Sequence, residues 1–271
     1  MEKFLACKLC LNVNPEFYCR KDGIPVLRCC RCGHIYASQV PDGASLELHY
    51  SEQYFKPYLE TVAVHLKKRF IKRIREIKRL KPSGKLLDIG SGVGAFMKLA
   101  LDYGYHVQGA DVSAWACDYA PVSFDVITLW HVLEHVENPV ELLKKVNLLL
   151  KEDGLLALEV PNIGSFMAGV AGTDWELMSP REHLSYFTVH TAERTLLEAG
   201  FTVLQRTTFF WTMPDMICRE RARLTAGLRR MIWKFLTLLS LPLSFLRFMT
   251  MPRFIEGDVV TIYAVKIRRQ R

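Results

Sequence analysis

The sequence predicts an α/β protein in which a mostly parallel sheet follows a small metal-binding module. Two observations predict the sheet. Residues 85–104 run from an apolar strand through a glycine-rich turn into a helix, and residues 124–160 give a strand, a loop, a helix and another apolar strand. Such units build parallel sheets. A third observation, two C-x2-C sequences before residue 33, predicts the module.

The module is defined by four of the eight cysteines, Cys7, Cys10, Cys29 and Cys32. Each C-x2-C pair can bend the backbone so that two thiolates face one tetrahedral Zn²⁺. The residues between the pairs predict a β-hairpin around Asp22-Gly23. Because four thiolates leave no open coordination position, we predict a structural zinc in a ribbon at about residues 5–37. Cys19 and Cys30 are interpreted as small thiols outside the site.

Composition and charge limit the class of protein. No apolar run lies between a basic start and a cleavage site, so no signal peptide is expected, and the paired cysteines fit a reducing, cytoplasmic compartment. The formal charge of +8 is concentrated in residues 67–81 and in the tail after Cys218. Residues 59–81 predict an amphipathic helix whose basic face is interpreted as solvated, in preference to nucleic-acid or membrane contact.

The tail contains an apolar, basic insertion at about residues 219–255. Its uncharged stretch, residues 235–246, is shorter than the roughly twenty residues that span a bilayer. Flanking basic and aromatic residues suit a segment that makes peripheral contact with an anionic membrane. Burial on the same domain or at a subunit interface is the alternative, so the oligomeric state is open. Nucleic acid is disfavoured as a partner because the ribbon lacks a clear basic and aromatic face.

His131, Glu134 and His135 have the H-x-x-E-H spacing of a zinc peptidase. A peptidase needs both histidines on one face of a regular helix. The flanking residues predict instead a strand that ends near Trp130, and a helix at 139–151 that begins at the Asn138-Pro139 cap. The histidines therefore fall in a strand-to-helix loop, which argues against a peptidase.

The glycine-rich turn predicts a ligand site. Gly90, Gly92 and Gly94 let the backbone pass close to a ligand. Asp88 precedes the turn, and Asp111 ends the next strand, where a carboxylate can accept hydrogen bonds from ribose hydroxyls. The glycine spacing is not the G-x-G-x-x-G of dinucleotide sites.

Five segments resemble the class I S-adenosylmethionine-dependent methyltransferases: LLDIGSGVGAF, FDVITLWHVLEHVENP, LLALEVPN, PREHLSYFTVHTAERTLLEAGF and DVVTIYAVKI. The subgroup that the chain resembles most has an amino-terminal zinc ribbon and a catalytic domain similar to ubiquinone-biosynthesis methyltransferases. The resemblance implies a Rossmann-like, mostly parallel sheet with an antiparallel last strand. It also implies methyl transfer from S-adenosylmethionine to a small-molecule acceptor that is a sugar, quinone-like or lipid-linked.

The resemblance implies roles for individual residues. The cofactor would be bound by Asp88, Gly90, Gly92, Gly94, Asp111 and Trp130. His131 and His183 are the implied catalytic bases, with Arg181, Glu182 and Tyr186 as candidate binding groups. A structural alternative is open for His135, which could bond the start of the following helix, and core packing is the favoured interpretation of Tyr186 and Phe187.

One part of the resembled fold is missing from the sequence. Only VSAWACDYAPVS lies between Asp111 and Phe124. The resembled family has a helix, a third strand and a second loop here, which need about twenty-five residues, since a single parallel crossover takes about a dozen. We predict that the third strand is absent and that Asp118 is the only local substitute for the acid that binds adenine. The alternative function is therefore a catalytically inactive, methyltransferase-like binding module. The predicted division is a ribbon at 1–40, a linker and basic helix at 41–82, and the methyltransferase domain at 83–271.

Overall fold

The computed structural model describes residues 6–39, 67–111, 123–209 and 257–267. The truncated crossover with Asp118, the first part of the predicted basic helix and the insertion at about 219–255 lie outside these ranges. The membrane contact of the insertion therefore stays a prediction. Within the described ranges, every helix is too short or too polar to cross a membrane.

A four-stranded antiparallel sheet contains the amino-terminal module. Strands β1 (Pro15–Lys21), β2 (Ile24–Cys29) and β3 (Ile35–Ala37) follow one another in the chain and pair in that order. The predicted hairpin is confirmed, since Asp22 and Gly23 join β1 to β2 with φ angles of 51° and 80°. The fourth strand of this sheet comes from far along the chain, as described below.

The main sheet has six strands among the described residues. They are β4 (Gly84–Ile89), β5 (Tyr105–Ala110), β6 (Phe124–Trp130), β7 (Leu150–Pro161), β9 (Phe201–Phe209) and β10 (Val259–Lys266). Their order is β5-β4-β6-β7-β10-β9. Strands β4 to β7 are parallel, and β10 is antiparallel to both of its neighbours. The predicted Rossmann-like sheet with an antiparallel last strand is confirmed.

Strand β5 lies at one edge of this order. The sequence predicts a missing strand at this position, and no strand of the described residues lies beyond β5. Residues 112–122, which join β5 to β6, are outside the described ranges.

Helices cover both faces of the main sheet because its strand residues alternate between two apolar clusters. Helix α1 (67–80) and helix α2 (Ala95–Asp102) pack on one face through Ile74, Ile77 and Phe96. Helix α3 (Pro139–Leu149) and helix α5 (Val189–Glu198) pack on the other face. Strands β4, β6 and β7 are therefore buried on two sides, as their near-continuous apolar sequences predict, whereas the edge strand β5 is partly exposed.

The predicted cap of α3 is confirmed, because the Asn138 side chain accepts a hydrogen bond from the Glu141 N–H. The predicted end of this helix is wrong by a few residues. The helix ends at Leu149, and β7 begins at Leu150, a buried residue that is the register partner of Phe124 at the start of β6. Pairing with β6 therefore overrides the local helical pattern.

The two sheets meet through a short strand, β8 (Ser185–Tyr186), which pairs with β3. Between β7 and β8 lie helix α4 (Phe166–Ala171) and a loop that contains Trp175 and Met178. These side chains form an apolar cluster with Val26 and Ile35 of the module. The module is thus completed by strand and side-chain contacts with the second half of the chain.

Candidate active site at the carboxyl edge of the sheet

The glycine loop after β4 is fitted closely to the loop after β6. Gly90, Gly92 and Gly94 all have positive φ angles, 72°, 49° and 75°. A Cβ atom on Gly90 would lie 2.4 Å from Cγ2 of Val132, which is too close for any side chain. Gly94 is the N-cap residue of α2 and provides no side-chain cap. Glycine is therefore required for both the conformation and the packing of this loop.

Asp111 lies against the glycine loop, as the sequence predicts. Its Oδ2 accepts a hydrogen bond of 2.8 Å from the Gly92 N–H. The N–H groups of Gly90 and Ser91 donate to the carbonyl oxygen of Ala110, at 2.7 and 3.2 Å. The ends of β4 and β5 are thus joined, and a carboxylate is held beside the loop.

Asp88 lies below the loop, inside the sheet. Burial raises the pKa of its carboxyl to about 7, against the opposing effect of the Thr128 hydroxyl, which donates to Oδ1 at 2.6 Å. Its position suits support of the loop better than direct contact with a ligand.

Trp130 ends β6 beside two side chains from the helices. The Arg73 guanidinium lies over its ring at 4.5 Å from the centroid, and Phe96 packs against the ring edge at 5.1 Å. The expectation that the basic face of α1 is solvated is wrong for Arg73, which is buried. Arg73 is buried because it forms an ion pair with Glu159 of β7, the strand next to β6.

Glu159, which is fully buried on β7, accepts hydrogen bonds from several polar side chains at the carboxyl edge of the main sheet. Arg69 Nη2 donates to Oε1 at 2.9 Å, Arg73 Nε donates to Oε2 at 3.0 Å, and the Thr261 hydroxyl donates to Oε2 at 2.8 Å. We call Glu159, Arg69, Arg73, Thr261 and His131 the Glu159 cluster. Sequence reasoning identified only His131 of these five, although one acid in the apolar run LLALEV opposite a basic helix was a usable signal for Glu159.

His131 is held between two carboxyl groups. Its Nδ1 lies 3.0 Å from Glu134 Oε1, and its Nε2 lies 3.1 Å from Glu159 Oε1. Its backbone is left-handed, with a φ of 56°. Burial, aided by the charges of Arg73 and Arg69, lowers the pKa of this imidazole. Both ring nitrogens are therefore hydrogen-bonded within the protein.

His135 and His183 lie next to each other, with ring centroids 4.8 Å apart. His135 Nδ1 donates to the Glu182 carbonyl at 3.0 Å and thereby joins the turn after β6 to the segment before β8. His183 Nδ1 donates to the Leu177 carbonyl at 2.8 Å. Burial lowers the pKa of both imidazoles. Residues 133–135 form a single 3₁₀ turn, not the regular helix that a peptidase needs.

Two other candidates belong to the core. Tyr186 and Phe187 are almost fully buried, which fits the packing interpretation. Arg181 is exposed and Glu182 is half-buried, so these two lie nearer the surface of the same loop.

The four cysteines predicted to bind metal lie together. The Cys7 and Cys32 sulfurs are 3.5 Å apart, those of Cys10 and Cys29 are 3.4 Å apart, and all four lie within 4.8 Å of one another. Sulfurs on a tetrahedral Zn²⁺ lie about 3.8 Å apart, so this cysteine cluster fits the ion. Leu11 and Gly33 follow the two pairs with positive φ angles, and each donates its N–H to the first cysteine of its pair. Cys30 is exposed.

A glycine loop after the first strand of the sheet, with an acid after the second, defines a class of protein: a Rossmann-like domain that binds a nucleotide-bearing cofactor at its carboxyl edge. Residues 58–206 match the family of methyltransferase domains. The match covers more than half of the chain, so the chain belongs to this family, and its sheet is that of a class I S-adenosylmethionine-dependent methyltransferase.

Among curated proteins, the chain is similar to the ubiquinone biosynthesis O-methyltransferase of Glaesserella parasuis serovar 5 (strain SH0165). The two are 30% identical over a segment that covers 34% of this chain and 52% of that relative. The match thus spans about half the length of the relative.

Two solved structures share the fold. The Haemonchus contortus phosphoethanolamine N-methyltransferase 2, in complex with S-adenosyl-L-methionine, is 16% identical with a TM-score of 0.53, and the match covers 86% of this chain and 62% of that one. An S-adenosylmethionine-dependent methyltransferase from Archaeoglobus fulgidus is 19% identical with a TM-score of 0.51, over 79% of this chain and 100% of that one. At these identities the similarity concerns the fold alone.

Proposed function

We propose that this protein transfers a methyl group from S-adenosylmethionine to a small-molecule acceptor. The observation that carries the proposal is the hydrogen bond of 2.8 Å from the Gly92 N–H to Asp111. It holds a carboxylate beside three glycines at the carboxyl edge of a Rossmann-like sheet, where nucleotide cofactors bind. Membership of the methyltransferase-domain family supports S-adenosylmethionine as that cofactor.

S-adenosylmethionine, when bound, supplies an electrophilic methyl group on its sulfonium. Different residues at the carboxyl edge of the sheet would contact different parts of this cofactor. The three glycines would let the backbone approach the methionine part. Asp111 would accept hydrogen bonds from the ribose hydroxyls. Asp88 would support the loop from below, and Trp130, packed under Arg73, would border the cofactor.

The acceptor is proposed to lie against the loop at 131–135 and the segment around His183. The curated relative is named for O-methylation in ubiquinone biosynthesis, which supports a hydroxyl of a quinone-like, sugar or lipid-linked acceptor. Methylation of a hydroxyl requires loss of its proton. Because both nitrogens of His131 are held by carboxyl groups, His131 is proposed to position Glu134 and Glu159, and the acid–base role falls to His183.

The cysteine cluster is proposed to hold one structural Zn²⁺. Four thiolates would complete its coordination, so the ion would take no part in the methyl transfer. Its effect on the site would be indirect, because β3 of the module pairs with β8, two residues after His183.

Calorimetric titration of the full chain with S-adenosylmethionine and S-adenosylhomocysteine tests the proposal. We expect both to bind, and Asp111→Asn to weaken binding roughly tenfold to hundredfold, since hydrogen bonds to a charged group contribute about 1.5–3 kcal/mol each. Asp102→Asn, an exposed change on α2, is the matched control and should bind as the wild type does.

The titration also separates the two functions that the sequence allows. No binding of either ligand at millimolar concentration would overturn the proposal. Binding without methylation of any hydroxyl acceptor from a panel of quinols, sugars and lipid-linked sugars would instead favour an inactive binding module.

A further inference from the structure

We propose that Glu134, His135 and His183 form a second metal site, for a divalent transition-metal ion, which is separate from the cysteine cluster. One ligand atom from each of the three side chains lies within 4.8 Å of the others. Glu134 and His135 lie on the turn after β6, and His183 lies just before β8. The Leu184 N–H donates to the Glu134 carbonyl at 2.8 Å and joins the two segments.

Both histidines are oriented as metal ligands usually are. His135 donates its Nδ1–H to the Glu182 carbonyl at 3.0 Å, and His183 donates its Nδ1–H to the Leu177 carbonyl at 2.8 Å. A neutral imidazole that donates through Nδ1 carries its lone pair on Nε2. Backbone carbonyls that fix the tautomer in this way are the common outer partners of metal-bound histidines. Both Nε2 atoms are thus set to bind a cation.

The environment of Glu134 is a second, independent observation that points to a bound cation. Its side chain is fully buried, and its Oε2 atom has no hydrogen-bond partner among the residues that the structure describes. The other oxygen, Oε1, lies 3.0 Å from His131 Nδ1, which fixes the carboxyl group. A buried carboxylate oxygen without a donor is costly, and a bound cation would remove that cost.

The ligand set indicates the class of metal. Two imidazoles and one carboxylate favour zinc, iron, cobalt or nickel over magnesium or calcium, which prefer oxygen ligands. Three protein ligands also leave a position open for water or for an oxygen of another molecule. Two residues of the H-x-x-E-H sequence, Glu134 and His135, are thus proposed as metal ligands. The third ligand is His183, which is distant in the chain, and not His131.

A catalytic use of this ion would rest on the proposed function. An acceptor hydroxyl at the open position would have its pKa lowered by the cation, and His183 would then act through the ion. Binding of the metal itself does not depend on this role, so the two can be tested separately.

The test is the metal content of the full chain, stripped with a chelator and titrated with Zn²⁺. We expect about two Zn²⁺ ions per chain for the wild type and about one for His135→Asn or His183→Asn. Asparagine keeps an N–H donor near the position of Nδ1 and removes Nε2. His190→Asn, the same change on the exposed surface of α5, is the control and should still bind about two.

Cobalt separates the two sites by their spectra. Co²⁺ in the cysteine cluster should show thiolate charge-transfer absorption, whereas the second equivalent should add only visible ligand-field bands, and these should vanish in His183→Asn. A wild-type chain that binds a single ion, with thiolate absorption, would overturn the proposal without reference to any variant. Retention of the second ion in both asparagine variants would overturn it as well. Titration of the same samples with S-adenosylmethionine reports on the proposed function independently.

Discussion

The amino-terminal module and the main sheet are held together by different forces. Half of the buried cluster inside the module consists of cysteines that fit a metal ion, beside Leu9, Leu27 and Tyr36. The main sheet instead buries apolar side chains on both faces. A segment as short as the module cannot bury enough surface to fold alone, whereas the sheet can. The proposed Zn²⁺ would supply in the module the stability that apolar burial supplies in the sheet.

The module and the main sheet also differ in whether their charged side chains are exposed or buried. Among the described residues, the one ion pair between the module and the rest of the chain, Lys8 with Glu137, is exposed. The carboxyl edge of the sheet buries Asp88, Glu134 and Glu159. Buried carboxyl groups are costly unless they are paired, and burial raises the pKa of Asp88, so Asp88 lowers the stability of the sheet at the edge where a ligand would bind.

The largest effect should come from the metal of the module. Structural Zn²⁺ contributes about 10–16 kcal/mol of binding free energy in small zinc-binding peptides, so the Cys7→Ser/Cys32→Ser double variant should lose the ion and unfold the module. Hydrogen exchange should show loss of protection in β1 to β3 and at β8, with β6 and β7 unchanged. Cys30→Ser, which replaces an exposed thiol outside the cysteine cluster, is the control and should keep both the ion and the protection. Stoichiometric zinc in the cysteine cluster of the double variant would refute the assignment.

The next largest effect should come from the Glu159 cluster. Glu159→Gln would leave the buried Arg73 and the partly buried Arg69 beside a neutral group, which should lower the free energy of unfolding by about 3–5 kcal/mol. Urea denaturation measures this loss. Glu152→Gln removes an exposed carboxylate of β7 and should change stability by less than about 0.5 kcal/mol. Equal stability of the two variants would mean that the edge of the sheet does not depend on this charge.

The third prediction is a pH dependence. Because burial raises the pKa of Asp88 from 3.8 to about 7, the folded state holds this proton more tightly than the unfolded state. The cost of ionising Asp88 is absent below about pH 4, grows between pH 4 and 7, and is complete above pH 7. Asp88→Asn should therefore gain stability relative to the wild type across this window, by up to about 4 kcal/mol.

Asp125 provides a control of opposite sign. Partial burial opposes the shift, yet the Lys85 N–H and the Lys151 ammonium hold the pKa of Asp125 below its usual value. Its contribution to stability is present at neutral pH and is lost as the pH falls. Asp125→Asn should thus be most destabilising at neutral pH. Thermal denaturation from pH 2 to pH 8 measures both trends, because the stability that Asp125 contributes is lost only below its usual pKa of 3.8. Parallel curves for the two variants would contradict the prediction.

The smallest effect should come from the ion pair between the two regions. Lys8 Nζ lies 2.9 Å from Glu137 Oε1, but the side chains are 30% and 56% exposed. A double-mutant cycle with Lys8→Met and Glu137→Gln should give a coupling of about 0.2–1 kcal/mol that falls with added salt. A coupling above about 2 kcal/mol would mean that charge, not the pairing of β3 with β8, joins the two regions.

Most of what the sequence determined depends on residues that are close in the chain. The cysteine spacing, the Asp22-Gly23 hairpin, the Asn138 cap and the glycine loop each follow from local backbone geometry. The order of the segments was also enough to predict the antiparallel last strand, because it matched a known family. These local rules hold in the folded protein because each is satisfied within a few residues.

The tertiary structure alone decided the contacts between distant segments. It brought His183 to Glu134 and His135, buried Arg73 against Glu159, and paired β3 with β8. Sequence patterns specify which side chains leave an element on the same face, but not which loops meet at the edge of a sheet. That choice depends on the packing of whole elements. The sequence thus determined the family and the elements of the proposed cofactor site, whereas only the fold revealed the partners of His131, His135 and His183.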